Sequence, residues 1–248
     1  MRNELFERNT YMLIFPAIDL FDKKAVRLYK GDYAQMTVYS ENPLEVAKTF
    51  KKAGAEYIHM VDLEGAKDGT TPNFDIVAAV AKESGLKVEI GGGIRDEETV
   101  KRYLDAGVMR VILGTAAVND SAFLESVCKK YGERIAVGAD LKDGEVAVKG
   151  WTEGSGIDGM AFLEKMQSLG VKTVICTDIS RDGAMRGTNR ELYKTLSEKF
   201  SMDIVASGGV STIDDVKALT KMDIYGAIIG KAIYTGDIDL TEAIEVAK

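Results

Sequence analysis

One histidine, one tryptophan, two cysteines and three prolines are all that 248 residues hold of those types, and each scarcity excludes something. A lone histidine leaves no His pair for a metal, and the scattered carboxylates show no ligand spacing, so no metal is expected. Cys128 and Cys176 form neither a CxxC pair nor a secreted disulfide framework; they read as reduced, buried thiols of a cytoplasmic protein. With so few prolines and no Pro/Gly/Ser-rich linker, nothing divides the chain. One domain is expected, although the length would admit two. No apolar run approaches the roughly 18 residues that a membrane-spanning helix needs. Residues 1–11 are polar, mixed in charge and without the apolar stretch of a signal peptide. They read as an extension before a single domain over 12–248.

Positive charge is also scarce. Thirty-two Lys and Arg against 39 Asp and Glu give a net charge of −7 with no basic block, which argues against nucleic acid or an anionic membrane as partner. An anionic ligand would have to be held by local dipoles. A monomer acting on a small molecule is expected.

Against these absences stands a strong rhythm. Short apolar, β-branched runs recur at Met12–Ile18, Tyr57–Val61, Lys87–Ile90, Arg110–Leu113, Ile135–Ala139, Thr173–Thr177, Ile204–Ala206 and Ala227–Ile229. Amphipathic stretches such as Pro43–Ala53, Asn73–Ser84 and Glu97–Ala106 lie between them. Start signals precede several: Asn42, Asp96, and Ser211 or Thr212. Near-continuous apolar strands alternating with helices predict a parallel sheet buried on both faces.

An internal repeat favours a closed barrel over an open sheet, with a duplicated open fold as the alternative. Residues 90–118 align without gaps on 206–234, at a shift of 116, pairing Gly92 with Gly208, Gly93 with Gly209, Gly114 with Gly230 and Ile112 with Ile228. The same shift pairs Gly54 with Gly170 and Asp62 with Asp178, while DLFDKKAVRLYKG at Asp19 resembles DLKDGEVAVKG at Asp140. Two fused half-barrels close naturally into one ring. The predicted fold is therefore a (β/α)8 TIM barrel with an internal two-fold half-barrel repeat, for which about 250 residues is the usual size.

In such a barrel the chemistry sits at the C-terminal ends of the strands. Gly92 and Gly93 follow the third strand, and Gly114 and Thr115 the fourth; Gly208 and Gly209 follow the seventh, and Gly230 and Lys231 the eighth. Glycine lets backbone N–H groups approach a phosphate. One such loop alone could be a tight turn, but two symmetry-related pairs predict two phosphate sites across the mouth. Asp19 and Asp140 end the first and fifth strands, which face each other. One ionised and one protonated carboxylate there would suit a proton relay, although an aspartate at a strand end also commonly serves a turn. His59, inside an apolar strand, reads as a satisfied core residue sooner than a catalyst, although its place near the end of that strand narrows the difference. Trp151, after a hairpin over Gly144–Gly150, is placed either to cover a substrate or to plug a gap.

The motifs together resemble one family. PAIDL (Pro16–Leu20), HMVDLEGA (His59–Ala66), EIGGGIR (Glu89–Arg95), GTAA (Gly114–Ala117), GADLKDGEVAVKGW (Gly138–Trp151), TDISRDGAMRGTN (Thr177–Asn189), ASGGVS (Ala206–Ser211) and GAIIGKAIY (Gly226–Tyr234) are similar to the phosphoribosylformimino-5-aminoimidazole carboxamide ribotide isomerases of histidine biosynthesis. The resemblance runs from Met12 to the C-terminus. It implies a cofactor-free Amadori rearrangement of an aminoaldose carrying a phosphate at each end, with Asp19 as general base and Asp140 as general acid. It further implies that His59, Arg95, Trp151, Thr177 and Asp182 contact or support the substrate. The homologous cyclase subunit of imidazole glycerol phosphate synthase carries a cysteine where Ala17 stands, and phosphoribosylanthranilate isomerase uses a strand-one cysteine as its base where this chain has Asp19. A bifunctional isomerase acting also on phosphoribosylanthranilate stays open, as does a non-catalytic barrel that only binds phosphorylated ligands.

Overall fold

The computed structural model describes residues 11–29 and 31–248. Residues 1–10, most of the expected extension, lie outside the described residues, and Tyr11 packs against the core. In chain order, β1 (Leu13–Phe21) is followed by β2 (Lys24–Tyr29), β3 (Asp32–Ser40) and α1 (Pro43–Lys52). β4 (Tyr57–Asp62), α2 (Leu63–Asp68), α3 (Phe74–Glu83), β5 (Lys87–Gly91), α4 (Glu97–Asp105) and β6 (Arg110–Leu113) come next. Two helices, α5 (Thr115–Asn119) and α6 (Ser121–Tyr131), lead to β7 (Ile135–Lys142), β8 (Glu145–Val148), β9 (Glu153–Asp158) and α7 (Gly159–Ser168). The chain ends with β10 (Thr173–Asp178), α8 (Arg190–Lys199), β11 (Asp203–Ser207), α9 (Ile213–Thr220), β12 (Gly226–Ile229), α10 (Lys231–Thr235) and α11 (Leu240–Val246).

Eight of these strands pair in parallel in the order β1, β4, β5, β6, β7, β10, β11, β12, and β12 returns to β1. The ring is closed. All eight strands read from the sequence are present, each within three residues of its expected ends. The alternating side-chain directions of a strand divide the core in two. Ile14, Ile18, Ile58, Met60, Val88 and Val111 pack outward under the helices, while Leu13, Phe15, Ala17, Tyr57, Ile175 and Val205 fill the barrel itself. Phe15 is fully buried, and truncating such a residue to alanine typically costs about 3–5 kcal/mol.

The helix starts follow the expected chemistry. Asn42 accepts from Glu45 N at 3.3 Å and Asp96 from Thr99 N at 2.7 Å, and Thr212 rather than Ser211 forms a reciprocal capping box with Asp215. Each cap satisfies a backbone donor that the first turn leaves without a partner. Among the described residues no helix is long and apolar enough to cross a membrane.

The two halves also repeat outside the ring. β2 folds back antiparallel on β1 and β3 on β2, and β8 on β7 and β9 on β8 in the same way. The hairpin expected at Gly144–Gly150 is thus a turn at Asp143–Gly144 between β7 and β8, with Leu141 opposite Val146. Its counterpart after β1 turns at Asp22–Lys23. Both extensions rise from the C-terminal ends of their strands and stand over the mouth of the barrel.

Candidate functional site

All fifteen residues singled out from the sequence line one cavity at that mouth. Asp19 ends the barrel portion of β1, and β2 brings Arg27 back to it, with Nη1 donating to Asp19 Oδ2 at 2.8 Å. Arg27 also donates to the carbonyl of Ala17, which receives Tyr234 Oη at 3.1 Å. Burial works against the charge on Arg27, but Asp19 outweighs it and raises its pKa further. The sequence reading missed Arg27. It sits among other charges in KKAVRLYKG, and only the fold-back of β2 turns it inward.

Asp140 lies at the end of β7 beside Thr177 of β10, its register partner. Burial raises its carboxyl, and hydrogen bonds with Trp151 and Thr177 pull partly against that rise. Asp182, in the loop after β10, is pushed up to about 6, first by burial and then by the charge of Asp19, with Arg27 opposing. Both residues are partly exposed and line the cavity, and the enclosure of a carboxyl by protein favours the neutral acid. The cavity therefore holds one ion-paired carboxylate and two carboxyls biased toward holding a proton.

His59 belongs to both of the environments considered for it. It is largely buried and lines the cavity, and its Nδ1 lies 2.8 Å from Glu89 Oε1. Thr177 is buried at the cavity wall. Arg95 packs its guanidinium against Gly69. Trp151 lines the cavity instead of plugging the core. A β-carbon on Gly31 would fall 2.5 Å from its Cε3, so the extension after β7 rests on the one after β1.

The glycine pairs lie on the cavity wall as two related sets. Gly92 (φ 102°) and Gly208 (φ 92°) adopt left-handed backbone, and each would drive a β-carbon into the carbonyl of the strand-end aspartate, Asp62 or Asp178. α5 and α10 begin at Gly114 and Gly230, neither of which caps with a side chain. Thr115 Oγ1 accepts from Lys149 N at 3.0 Å. Lys231 donates to Gly183 O at 3.2 Å and lies 5.5 Å from the ring centre of Tyr29. Asp62 and Asp178 themselves hold turns together. Asp62 accepts from Gly65 N at 3.0 Å and Asn73 Nδ2 at 2.9 Å, and Asp178 from Ser180 N at 2.9 Å and Asn189 Nδ2 at 2.7 Å.

Neither thiol is poised to react. Cys176 is buried, and Cys128 is only half-buried where a buried residue was expected. Burial raises both, Cys128 to about 11. Among the described residues no group of three or more His, Cys, Asp or Glu is placed to hold a metal ion.

Residues 13–239 match the histidine biosynthesis protein family. A relative from Brachyspira hyodysenteriae is 51% identical over 237 residues, covering 96% of this chain and 100% of the relative. One from Clostridium beijerinckii is 49% identical over 237 residues, covering 96% and 99%. One from Clostridium botulinum is 48% identical over 235 residues, covering 95% and 97%. Each of the three is named a 1-(5-phosphoribosyl)-5-((5-phosphoribosylamino)methylideneamino)imidazole-4-carboxamide isomerase.

Proposed function

The chain belongs to the histidine biosynthesis protein family and is an isomerase, and we propose that it carries out an Amadori rearrangement of a ribosylamine that bears a phosphate at each end. The substrate is that of its named relatives, the bis-phosphate N'-(5'-phosphoribosylformimino)-5-aminoimidazole-4-carboxamide ribonucleotide. The observation that carries this reading is the arrangement of one cavity, with two related glycine cradles and two related aspartates on its wall.

In this reading the cradles fix the two ends of the substrate. Backbone N–H groups beside Gly92, Gly93, Gly114 and Thr115 hold one phosphate. Those beside Gly208, Gly209 and Gly230, with the Lys231 ammonium, hold the other. The reacting sugar then lies between Asp19 and Asp140. Asp140, whose carboxyl burial biases toward the neutral acid, gives its proton to the ring oxygen as the C1–O bond breaks, leaving an open-chain Schiff base. Asp19, ionised beside Arg27, removes the proton from C2, and the electron pair forms an enolamine. Return of a proton to C1 and loss of the C2 hydroxyl proton give the aminoketose. Atoms and electrons balance within the substrate, so the step asks for no cofactor.

Arg95, Trp151, His59, Thr177 and Asp182 contact or orient the substrate around that centre. The test is direct: purified chain, the bis-phosphate aminoaldose, and phosphoribosylanthranilate in parallel. Conversion of the first to its aminoketose is expected. Absence of turnover would overturn the reading, and turnover of the second would make the chain bifunctional.

A further inference from the structure

A charged cluster lies buried beneath the cavity. Ala17 is in register with His59, His59 with Glu89, and Glu89 with Arg110, across four neighbouring strands. Parallel partners in register turn their side chains to the same face, so His59, Glu89 and Arg110 stand side by side inside the barrel. Glu89 and Arg110 are both 0% exposed. Besides the contact to His59, Glu89 has Arg110 Nη1 3.6 Å from its second oxygen, and Arg110 Nη2 donates to Tyr225 Oη at 3.2 Å.

The internal repeat shows how unusual this level is. At the shift of 116 the counterparts of His59, Glu89 and Arg110 are Ile175, Val205 and Gly226. The second half fills the same level with apolar groups. A buried ion pair pays heavily in desolvation, and apolar replacements are often as stable or more so. Stability is therefore a weak reason for the departure. The functional site offers a better one, because His59 is the member of the trio that reaches the cavity. There it lines the same wall as Asp140 and Asp182.

We propose that Glu89, neutralised from behind by Arg110, is a positioning residue that holds the His59 ring with its proton on Nδ1 and presents Nε2 to the substrate as a hydrogen-bond acceptor. An ionised carboxylate can only accept, so the nitrogen it meets must carry hydrogen. Arg110 already balances the charge of Glu89, so the trio is electrically neutral with a neutral ring. The partner of Nε2 is a hydroxyl or amine hydrogen of the sugar held between the phosphates. That last assignment rests on the isomerase reading; the tautomer does not.

Because His59 is the only histidine, the untagged full-length chain labelled with 15N-histidine gives one imidazole to follow. Spectra taken above the ordinary range of imidazole titration are expected to show hydrogen on Nδ1 and none on Nε2. Glu89→Gln, whose amide both donates and accepts, is expected to give a mixture of tautomers. The double variant Glu89→Leu with Arg110→Met removes both buried charges together and is expected to favour hydrogen on Nε2. In each variant kcat/KM should fall about tenfold, the scale of one hydrogen bond, and Glu89→Gln should cost nothing further in a His59→Ala background. Hydrogen on Nε2 in the wild-type chain would overturn the proposal. So would a Glu89→Gln loss of equal size with and without His59. If the double variant fails to fold, Glu89→Gln alone decides. A wild-type chain without isomerase activity would sink the functional reading, while the spectrum would still decide the tautomer.

Discussion

Arg27 bridges two parts of the cavity: its guanidinium lies 2.8 Å from the carboxylate of Asp19 and occupies space 2.7 Å from where a β-carbon on Gly230 would stand. Asp19 and the glycine loop at Gly230 therefore share one cation. Removing it with Arg27→Leu leaves the half-buried Asp19 without its partner, and steady-state assays should show kcat/KM lower by about 100-fold or more. Arg27→Lys should recover only part of this, because an ammonium cannot reproduce the planar fork that meets both Asp19 and the Ala17 carbonyl. Full recovery by lysine would show that charge alone matters.

The acid and base roles make a sharper demand. Asp19→Asn and Asp140→Asn are each expected to abolish measurable turnover while binding of the bis-phosphate, followed by calorimetry, changes little. The cradles, not the carboxylates, are assigned the anchoring. Near wild-type turnover in either variant would contradict its assigned role.

Gly92 and Gly208 allow each half of the site to be tested separately. Alanine at either one must hold a left-handed backbone and push against a strand-end carbonyl, so each should lower the thermal midpoint and weaken the bis-phosphate. Strain of this sort costs more than about 1 kcal/mol. A monophosphate analogue that uses only one cradle should feel Gly92→Ala or Gly208→Ala, but not both. Equal losses with that analogue would argue against two separate anchors.

Asp182 predicts a pH dependence of stability. Its carboxyl is pushed up to about 6 in the folded chain, against about 4 for an unfolded aspartate. Between those values the folded chain keeps a proton that the unfolded chain has released, so this group's contribution falls as pH rises through the window. Above it both states are ionised, and the penalty is fully present. Asp182→Asn removes the penalty, so its thermal midpoint should gain more over wild type near pH 8 than near pH 4. An equal or larger gain at the acid end would refute the assignment.

Much of this was legible in the residues for one physical reason: a barrel made of two similar halves writes each functional position twice. The paired glycines, Asp19 with Asp140, and all eight strands could be read because each had an echo. What lacks an echo was hidden. Arg27 has Val148 at the corresponding place on the second antiparallel extension, 121 positions on, so nothing marked it out among its charged neighbours. Glu89 and Arg110 were visible only as charges within apolar runs, and their pairing needs the register of β4, β5 and β6. The strands β3 and β9 went unread because their alternation is weak and their residues largely exposed, and β2 because its buried apolar residues are interleaved with charged ones. The turn role of Asp62 and Asp178 depends on Asn73 and Asn189, each 11 positions away.

The contact between Trp151 and Gly31 has a practical consequence. The chain has no other tryptophan, and this one lies where the two extensions meet above the cavity, within reach of Asp140. Its ultraviolet emission is therefore a signal from a single known place. Any ligand that parts the indole from the Gly31 backbone, or dries its surroundings, would change that light without a dye or label.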